Sequence, residues 1–370
     1  MGSVTSPQSL RQSYAALDAA KTLERAQPMI ECRGVWKVFG SRARETIDAM
    51  RQGKLDKNSA LQKFGCSVGV ADVDLTVNAG EIFCIMGLSG SGKSTLLRHV
   101  NRLIEPTAGE IIVDGERVDL KSPSELRALR NQKIGMVFQH IALLPHRTVL
   151  DNAAFGLEAR GVPKKERRSR AAEKLALVGL EEWADRRPEE LSGGMQQRVG
   201  LARALTSDPG ILLMDEPFSA LDPIIRRDLQ NQFLSLTKIM RKTTVFITHD
   251  LEEAMKLGTR VAIMRDARIV QVGTPEEIIT HPANEYVTDF VRGISKQSIL
   301  KASNVMRPVE QFVLSGRSLP DFAAVACPDD RLSDLIAKVA SNPGPIAVKD
   351  DGNLVGIVSL SGLLTALKSE

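Results

Sequence analysis

Apolar runs of strand length alternate with longer helical patterns between residue 29 and about residue 293. The segment 29–39 alternates like an edge strand, whereas four later runs are mostly apolar and predict buried strands: 82–86, 133–138, 211–214 and 244–248. Strands separated by helices at this spacing favour a largely parallel sheet that helices cover. The hydrophobic pattern therefore predicts an α/β fold.

Residues 40–65 interrupt the strand pattern, which resumes at 68–77. A first helix is expected from three apolar positions that suit one helix face, which are Ile47, Met50 and Leu55. A second short helix is expected to start at Asp56 or Asn58, which are good N-cap residues, and to stop at Gly65. The segment is predicted to be a helical insertion between two strands.

Both ends of the chain differ from this central region. Residues 1–28 are polar and Ser/Pro-rich at first, and are expected to form a flexible tail. Residues 294–325 are weakly patterned and are predicted to be a linker. Residues 326–370 then show strand, helix, strand, a tight turn at Asp351-Gly352, strand and helix. This order predicts a small C-terminal α/β unit with its own apolar face.

Composition narrows the class of protein. The 370 residues include 43% hydrophobic ones, which is enough for real cores, and the net charge of +4 is too small to indicate nucleic-acid binding. The four cysteines are scattered, so a disulfide framework and a zinc site are both disfavoured and a reducing compartment is expected. No signal peptide is expected, and no apolar run approaches the roughly 20 residues that cross a bilayer. Any membrane-spanning part would belong to other subunits.

A phosphate-binding loop follows the strand 82–86. The pattern G-x-x-x-x-G-K-[ST] is met at Gly87, Gly92, Lys93 and Ser94. Glycines let the backbone amides point inward at phosphate oxygens, and the helix that begins near Lys93 adds a positive end. Lys93 is expected to reach the β- and γ-phosphates, and the Ser94 hydroxyl to be a magnesium ligand. The alternative is an ordinary glycine turn between a strand and a helix.

Further motifs follow in a fixed order. Leu191–Arg198 reads LSGGMQQR, Asp215-Glu216 ends an apolar strand, and His249 ends a later one. Together with the phosphate loop they resemble an ATP-binding cassette (ABC) ATPase over about residues 29–293. The resemblance implies a P-loop ATPase fold with a mixed sheet core and a helical subdomain at about 140–190. It also implies ATP and Mg²⁺ as cofactors.

Roles for individual residues combine physical reasoning with this resemblance. Asp215, at the end of a buried strand, is placed to hold magnesium, and Glu216 to orient and deprotonate the attacking water. The resemblance implies that His249 contacts the γ-phosphate and that Gln139 touches both magnesium and the water. Phe39 could stack on adenine, although a half-buried strand aromatic is the alternative. The ATP-binding residues expected are Phe39, Gly87, Leu88, Ser89, Gly90, Ser91, Gly92, Lys93, Ser94 and Thr95.

The LSGG segment offers a second helix N-terminus with a hydroxyl and bare backbone amides. Since one chain's phosphates are already held by the phosphate loop, the resemblance implies that this segment binds the ATP of an opposing, head-to-tail copy of the chain. The residues expected to do so are Ser192, Gly193, Gly194 and Gln196. Asp222 resembles the family's aspartate that crosses the interface between the two copies.

Finer features resemble the ATPase subunits of glycine betaine/proline importers: the insertion, the string MGLSGSGKSTLLRHVNRLIEPTAGEI, and LLPHRTVLDNAAFGLE. The resemblance implies a peripheral protein on the cytoplasmic face of the inner membrane, with two permease subunits and a solute-binding protein as partners. Glycine betaine, proline betaine, choline or another quaternary amine are compatible solutes. An importer of another solute, and a soluble ABC ATPase outside transport, are the alternatives.

Residues 326–370 resemble one cystathionine-β-synthase (CBS) repeat, notably in VGIVSLSGLL. Such modules normally pair two repeats, and residues 305–325 are too short for a complete first copy. Gly362 stands where such repeats often place a ribose-binding aspartate. A nucleotide or salt sensor and a packing or dimerisation element both remain compatible with this unit.

Overall fold

The structure is a computed structural model that describes residues 27–139, 142–219, 221–314 and 319–368. The tail expected at 1–28 lies outside the described residues apart from its last two positions. Within the described ranges, no helix combines the length and the apolar character that crossing a membrane requires.

A six-stranded sheet forms the centre of the molecule. Its strands, in spatial order, are β10 (Arg268–Gly273), β9 (Arg260–Arg265), β3 (Ile82–Met86), β8 (Thr243–Thr248), β7 (Ile211–Asp215) and β6 (Ile134–Val137). All neighbours pair in parallel except β10, which forms an antiparallel hairpin with β9. The four strands predicted from apolar runs are all members of this sheet, and β3, β7 and β8 are almost completely buried.

A second, antiparallel sheet packs beside the first. Its spatial order is β2 (Ser67–Asn78), β1 (Pro28–Phe39), β4 (Ala108–Val113) and β5 (Glu116–Arg117). The turn between β4 and β5 has left-handed backbone at Asp114 (φ 50°) and Gly115 (φ 77°), the geometry of a tight hairpin. A hydrophobic cluster with Phe83, Ile85 and Val113 fills the space between the two sheets.

Helices connect and cover these sheets. In chain order up to residue 291 they are Ala43–Arg51, Lys57–Phe64, Lys93–Val100, Pro123–Lys133, Val149–Ala153, Phe155–Ala159, Lys164–Leu177, Gly193–Thr206, Pro223–Met240, Leu251–Leu257, Pro275–Thr280 and Glu285–Val291. Short 3₁₀ turns lie at Glu181–Trp183 and Pro188–Glu190. Three of these helices, from Val149 to Leu177, lie in the region predicted as a helical subdomain, and they pack on the six-stranded sheet through a cluster that includes Leu175 and Val199.

The insertion forms two helices between β1 and β2, as predicted. Its second helix has Asp56 as N-cap, whose side chain accepts a hydrogen bond from the Ser59 N–H, and it ends at Gly65 with left-handed backbone. Leu55 differs from the prediction, because it lies between the helices and packs at the edge of their shared cluster. Ile47 is buried in that cluster with the β1 residue Trp36.

The C-terminal unit has its own sheet and core. The sheet has the order β11 (Arg307–Pro308), β14 (Asn353–Val358), β13 (Ile346–Asp350) and β12 (Ala324–Ala326), with only β12 and β13 parallel. Its helices are Leu332–Ser341 and Leu360–Lys368. The strand and helix order predicted from the sequence is confirmed.

The segment 294–325, predicted as a linker, contains regular elements. Short helices lie at Lys296–Ile299, Ala302–Val305 and Val309–Leu314, and β11 and the start of β12 also fall in this range. Leu300 and Ala302 are buried in one cluster with Leu335 and Val348 of the C-terminal unit. Most of the described part of this segment therefore packs as part of that unit.

We predict that Leu175→Ala lowers the free energy of unfolding by about 2–5 kcal/mol, because it removes a fully buried side chain from the cluster under the helical region. Leu177→Ala, on the same helix but at a side chain that is 43% exposed, is the matched control and should change it by less than about 0.5 kcal/mol. Urea unfolding followed by circular dichroism measures both. Equal effects of the two substitutions would contradict this packing.

Candidate functional site

The predicted site residues meet at one edge of the six-stranded sheet. The phosphate loop follows β3, Asp215 ends β7 with Glu216 directly after it, His249 follows β8, and Gln139 follows β6. The register aligns these ends, since Met86 lies opposite Thr248 and Asp215 lies opposite Ile247. Carboxyl ends of neighbouring parallel strands form the usual ligand-binding edge of such a sheet.

The phosphate loop passes very close to other backbone. A Cβ on Gly87, which has φ of 149°, would lie 2.2 Å from the Met264 carbonyl oxygen. A Cβ on Gly92, which has φ of 104°, would lie 2.1 Å from the Gly69 carbonyl oxygen. Glycine is therefore required at both positions for steric as well as conformational reasons.

Lys93 begins the helix after the loop and folds back over it. Its Nζ donates hydrogen bonds to the carbonyl oxygens of Gly87 (2.8 Å) and Leu88 (3.0 Å). Burial lowers the pKa of Lys93, and the negative charges of Glu216 and Asp215 oppose that shift. A cation held inside the loop in this way is suited to bind phosphate oxygens.

Asp215 is almost fully buried beneath the loop. One carboxylate oxygen accepts a hydrogen bond from Ser94 Oγ (2.9 Å), and the other accepts one from Arg98 Nη2 (3.0 Å). Both bonding groups come from the helix that follows the loop, so the strand end and the loop helix are tied together. A hydroxyl beside a carboxylate is an oxygen donor pair of the kind that Mg²⁺ prefers.

Glu216 links the other two side chains predicted to act in catalysis. Its Oε2 lies 3.3 Å from Gln139 Nε2, which donates to it, and 3.1 Å from His249 Nδ1. Its backbone is left-handed (φ 47°), which is a strained conformation for a residue with a long side chain. The strained backbone at the strand end coincides with the point where three polar side chains converge.

A cleft runs along this edge of the sheet. It is lined by Phe39, Lys57, Ser67, Val68, Gly69, Ser89, Gly90, Gly92, Lys93, Ser94, Thr95, Gln139, Glu216 and His249. Gly87, Leu88 and Ser91 belong to the loop but do not line the cleft. Phe39 is 44% exposed, and a Cβ on Gly69 would lie 3.0 Å from the Phe39 ring and 3.2 Å from the Thr95 methyl group. The ring, the methyl group and the bare glycine form one wall.

Four lining residues were not predicted: Lys57, Ser67, Val68 and Gly69. Lys57 comes from the insertion, and the other three begin β2. The start of β2 lies at the cleft because it pairs with the end of β1, where Phe39 is opposite Ser67. No local pattern marks these three residues or Lys57. The glycine at position 69, an interruption in an apolar strand, is the one signal that could have indicated a close approach.

The residues of the LSGG segment lie away from this cleft. Ser192 is exposed and caps the helix Gly193–Thr206, its Oγ accepting a hydrogen bond from the Met195 N–H. Gly193 is also exposed, whereas Gly194 is buried. Gln196 donates hydrogen bonds to the carbonyl oxygens of Pro188 and Leu191 within its own chain.

Asp222 is exposed and precedes the helix Pro223–Met240. Its side chain makes no capping hydrogen bond to that helix. Like the LSGG segment, it does not line the cleft, so one chain alone does not bring these groups to the phosphate loop.

Comparisons with known proteins define the class. The family model described as "ABC transporter" matches residues 70–219. A solved structure described as the dimeric, post-hydrolysis state of the ATP-binding cassette MJ0796 bound to ADP and Pi superposes with a TM-score of 0.57 at 33% identity, over 67% of this chain and 99% of that one. The fold, with its mixed sheets and helices, is that of an ABC-type P-loop ATPase.

Sequence relatives narrow the class further. The glycine betaine transport ATP-binding protein OpuAA of Bacillus subtilis is 53% identical over 281 residues, which is 76% of this chain and 67% of the relative. The glycine betaine/proline betaine transport system ATP-binding protein ProV of Escherichia coli is 46% identical over 341 residues, which is 92% of this chain and 83% of ProV. The chain belongs to this family of ABC transporter ATP-binding subunits, and it is an energy-coupling ATPase of an importer.

We predict that Gly87→Ala abolishes ATP binding, because the added methyl group would collide with the Met264 carbonyl and force the loop to shift. Gly90→Ala is the matched control, since a Cβ there meets nothing within 4 Å and costs only about 1 kcal/mol of left-handed strain. Titration with a fluorescent ATP analogue measures both affinities. Equal affinities of the two variants would contradict the close approach.

Proposed function

We propose that this ATPase drives the uptake of a quaternary amine of the glycine betaine type. The support is that both relatives are named as betaine transport ATP-binding proteins, and that the likeness to ProV reaches from the ATPase region into the C-terminal unit. The solute would be selected by other subunits, since the cleft of this chain is suited to phosphates. This chain would supply the energy for uptake by hydrolysing ATP.

The nucleotide would bind along the cleft. Adenine would stack on Phe39, and the phosphates would lie on the loop residues Gly87–Thr95, with Lys93 at the β- and γ-phosphates. The partial exposure of the Phe39 ring, beside the bare Gly69 and the Thr95 methyl group, supports this placement.

Mg²⁺ would be held by Ser94, Asp215 and Gln139. The described residues contain no cluster of three or more His, Cys, Asp or Glu that could hold a metal alone, so phosphate and water oxygens would complete the shell. The donor set is entirely oxygen, which fits a hard cation. When bound, the ion would neutralise charge on the phosphates.

Glu216 would act as the base for the attacking water. His249 and Gln139 would position that water and the γ-phosphate. The proposal is supported by the hydrogen-bond contacts of both side chains with Glu216 Oε2. Because the Glu216 side chain is 17% exposed, it is accessible to water while remaining held by two neighbours.

The site would be completed by a second copy of the chain in head-to-tail arrangement. Ser192, Gly193 and Gly194 would contact the ATP of the opposing copy, and Asp222 would cross the interface. Exposure of Ser192, Gly193 and Asp222 supports this, because they are helix-start groups that do not line the cleft of their own chain. Gln196 would contribute indirectly, since its amide holds the backbone before Ser192.

The remaining partners would be two integral-membrane permease subunits and a solute-binding protein. The chain would then work as a peripheral protein on the cytoplasmic face of the inner membrane. Closure of two copies on ATP would be passed to the permeases through the groove between the helical region and the sheet, near Gln139.

The chain would divide into an ATPase domain at 29–293 and a C-terminal CBS-like unit. Because Leu300 and Ala302 pack into the core of that unit, we place its start near residue 300 rather than at 326. One repeat would be present. Lys301 pairs with Glu276 of the ATPase domain (3.5 Å) and with Asp329 (3.1 Å), which favours a packing role over a freely hinged sensor.

We predict that Glu216→Gln lowers ATP turnover by about 10²- to 10⁴-fold, because the amide cannot accept a proton from water. The variant should bind ATP and form a stable dimer in the presence of the permease subunits. Phosphate release and light scattering after size-exclusion chromatography measure the two properties.

The control for this substitution is Glu181→Gln, which makes the same chemical change at an exposed turn outside the cleft. It should leave turnover unchanged. A Glu216→Gln protein that stays monomeric in saturating ATP would contradict the two-chain site, and one with half the wild-type turnover would contradict the role of the base.

We predict ATP-dependent uptake of glycine betaine when the chain is reconstituted in vesicles with the permease and binding-protein subunits encoded beside it. Proline betaine and choline should compete with labelled glycine betaine, and Glu216→Gln complexes should show no uptake. Uptake that no quaternary amine competes for would contradict the solute class and leave the ATPase assignment intact.

A further inference from the structure

The insertion supplies a charged side chain to the cleft that none of the roles above uses. Lys57 is the first residue of the helix Lys57–Phe64, and it lines the cleft together with Phe39 and the phosphate loop. Its Nζ donates a hydrogen bond to the carbonyl oxygen of Gly90 (2.7 Å), in the middle of that loop. An element inserted between two strands thus reaches the loop directly.

The insertion is held firmly enough to place this lysine. The Asp56 cap and the left-handed Gly65 fix both ends of its helix. Ala60, on the same helix, is fully buried in the cluster with Trp36. Arg51, from the first inserted helix, lies over the Trp36 ring at 5.6 Å from its centroid, which adds a cation–π contact. The Lys57 ammonium is therefore positioned by a helix that packs on the rest of the chain.

Lys57 and Lys93 hold the phosphate loop in the same manner. Lys93 binds the carbonyl oxygens of Gly87 and Leu88 at the start of the loop, and Lys57 binds that of Gly90 further along. Among the residues that the structure describes, no carboxylate forms an ion pair with Lys57. An ammonium has three donors, so two remain after the bond to Gly90.

We propose that Lys57 is a second phosphate-binding lysine of the nucleotide cleft, supplied by the insertion. The proposal rests on the nucleotide site given under Proposed function and adds a second cationic contact to the one made by Lys93. The ammonium would bind phosphate oxygens shared by ATP and ADP. Adenine would not be its target, because the cation nearest the Phe39 ring is Lys37, at 4.9 Å from the centroid.

Lys57→Gln tests the charge, because an amide can still donate a hydrogen bond to the Gly90 carbonyl. Calorimetric titration of the full chain should show ATP and ADP binding about tenfold more weakly, the size of one lost charge-assisted contact, with adenosine binding unchanged. Lys57→Arg should restore most of the affinity. Lys63→Met, at an exposed lysine on the same helix, should behave like the wild type.

A reference variant and a stability measurement distinguish a loss of phosphate binding from a structural effect. Lys93→Met should lose ATP binding, and thermal unfolding without nucleotide should be the same for Lys57→Gln and the wild type. Unchanged ATP affinity in Lys57→Gln, with loss in Lys93→Met, would overturn the proposal and leave the nucleotide site standing. Equal weakening of ATP and adenosine would also overturn it, since that indicates a structural effect. No effect of either lysine would overturn the nucleotide site itself.

Discussion

Parallel hydrogen bonding among β3, β8 and β7 is the constraint on which the site depends. A parallel ladder fixes where each strand ends relative to its neighbour, so the groups that follow the strands are placed by backbone pairing before any side chain interacts. The ladder reaches the active region itself, because the Glu216 N–H donates to the Ile247 carbonyl oxygen (3.1 Å). A slip of one residue in this register would separate the loop, Glu216 and His249 together.

Most of the central sheet could be predicted because each buried strand is an apolar run with its own local signal. Asp215 was predictable for the same reason, because it ends the apolar run of β7, whereas the role of His249 was predicted from the family resemblance. The partition into two sheets was not predictable. The second sheet depends on the pairing of β1 with β2 and β4. These residues are distant in sequence, and strand pairing of this kind produces no hydrophobic periodicity that would reveal the partner. For this reason Gly69 and Lys57 were not predicted as residues of the cleft.

The segment 294–325 was predicted as a linker because its hydrophobic pattern is weak, but the structure contains short helices and strands there. Its helices at Lys296–Ile299 and Ala302–Val305 span about one turn each, which is too short for a 3.6-residue period to appear. What orders them is burial of single side chains such as Leu300 against a core formed 30 residues or so later along the chain. A weak hydrophobic pattern therefore does not distinguish a linker from short helices and strands that are stabilised by packing against a neighbouring unit.

The position of the insertion has a consequence for how this enzyme can diversify. Its two helices replace the loop of a β1–β2 hairpin, and the entropy cost of closing a longer loop rises by only about 0.6 kcal/mol per doubling of length. The strand that ends in Asp215 and the strand that precedes His249 belong to the other sheet. Selection could therefore exchange or remodel this loop, altering how tightly nucleotide is held, without redesigning the hydrolytic machinery. The contribution of Lys57 to nucleotide binding would then be encoded in a different stretch of the chain from Asp215, Glu216 and His249.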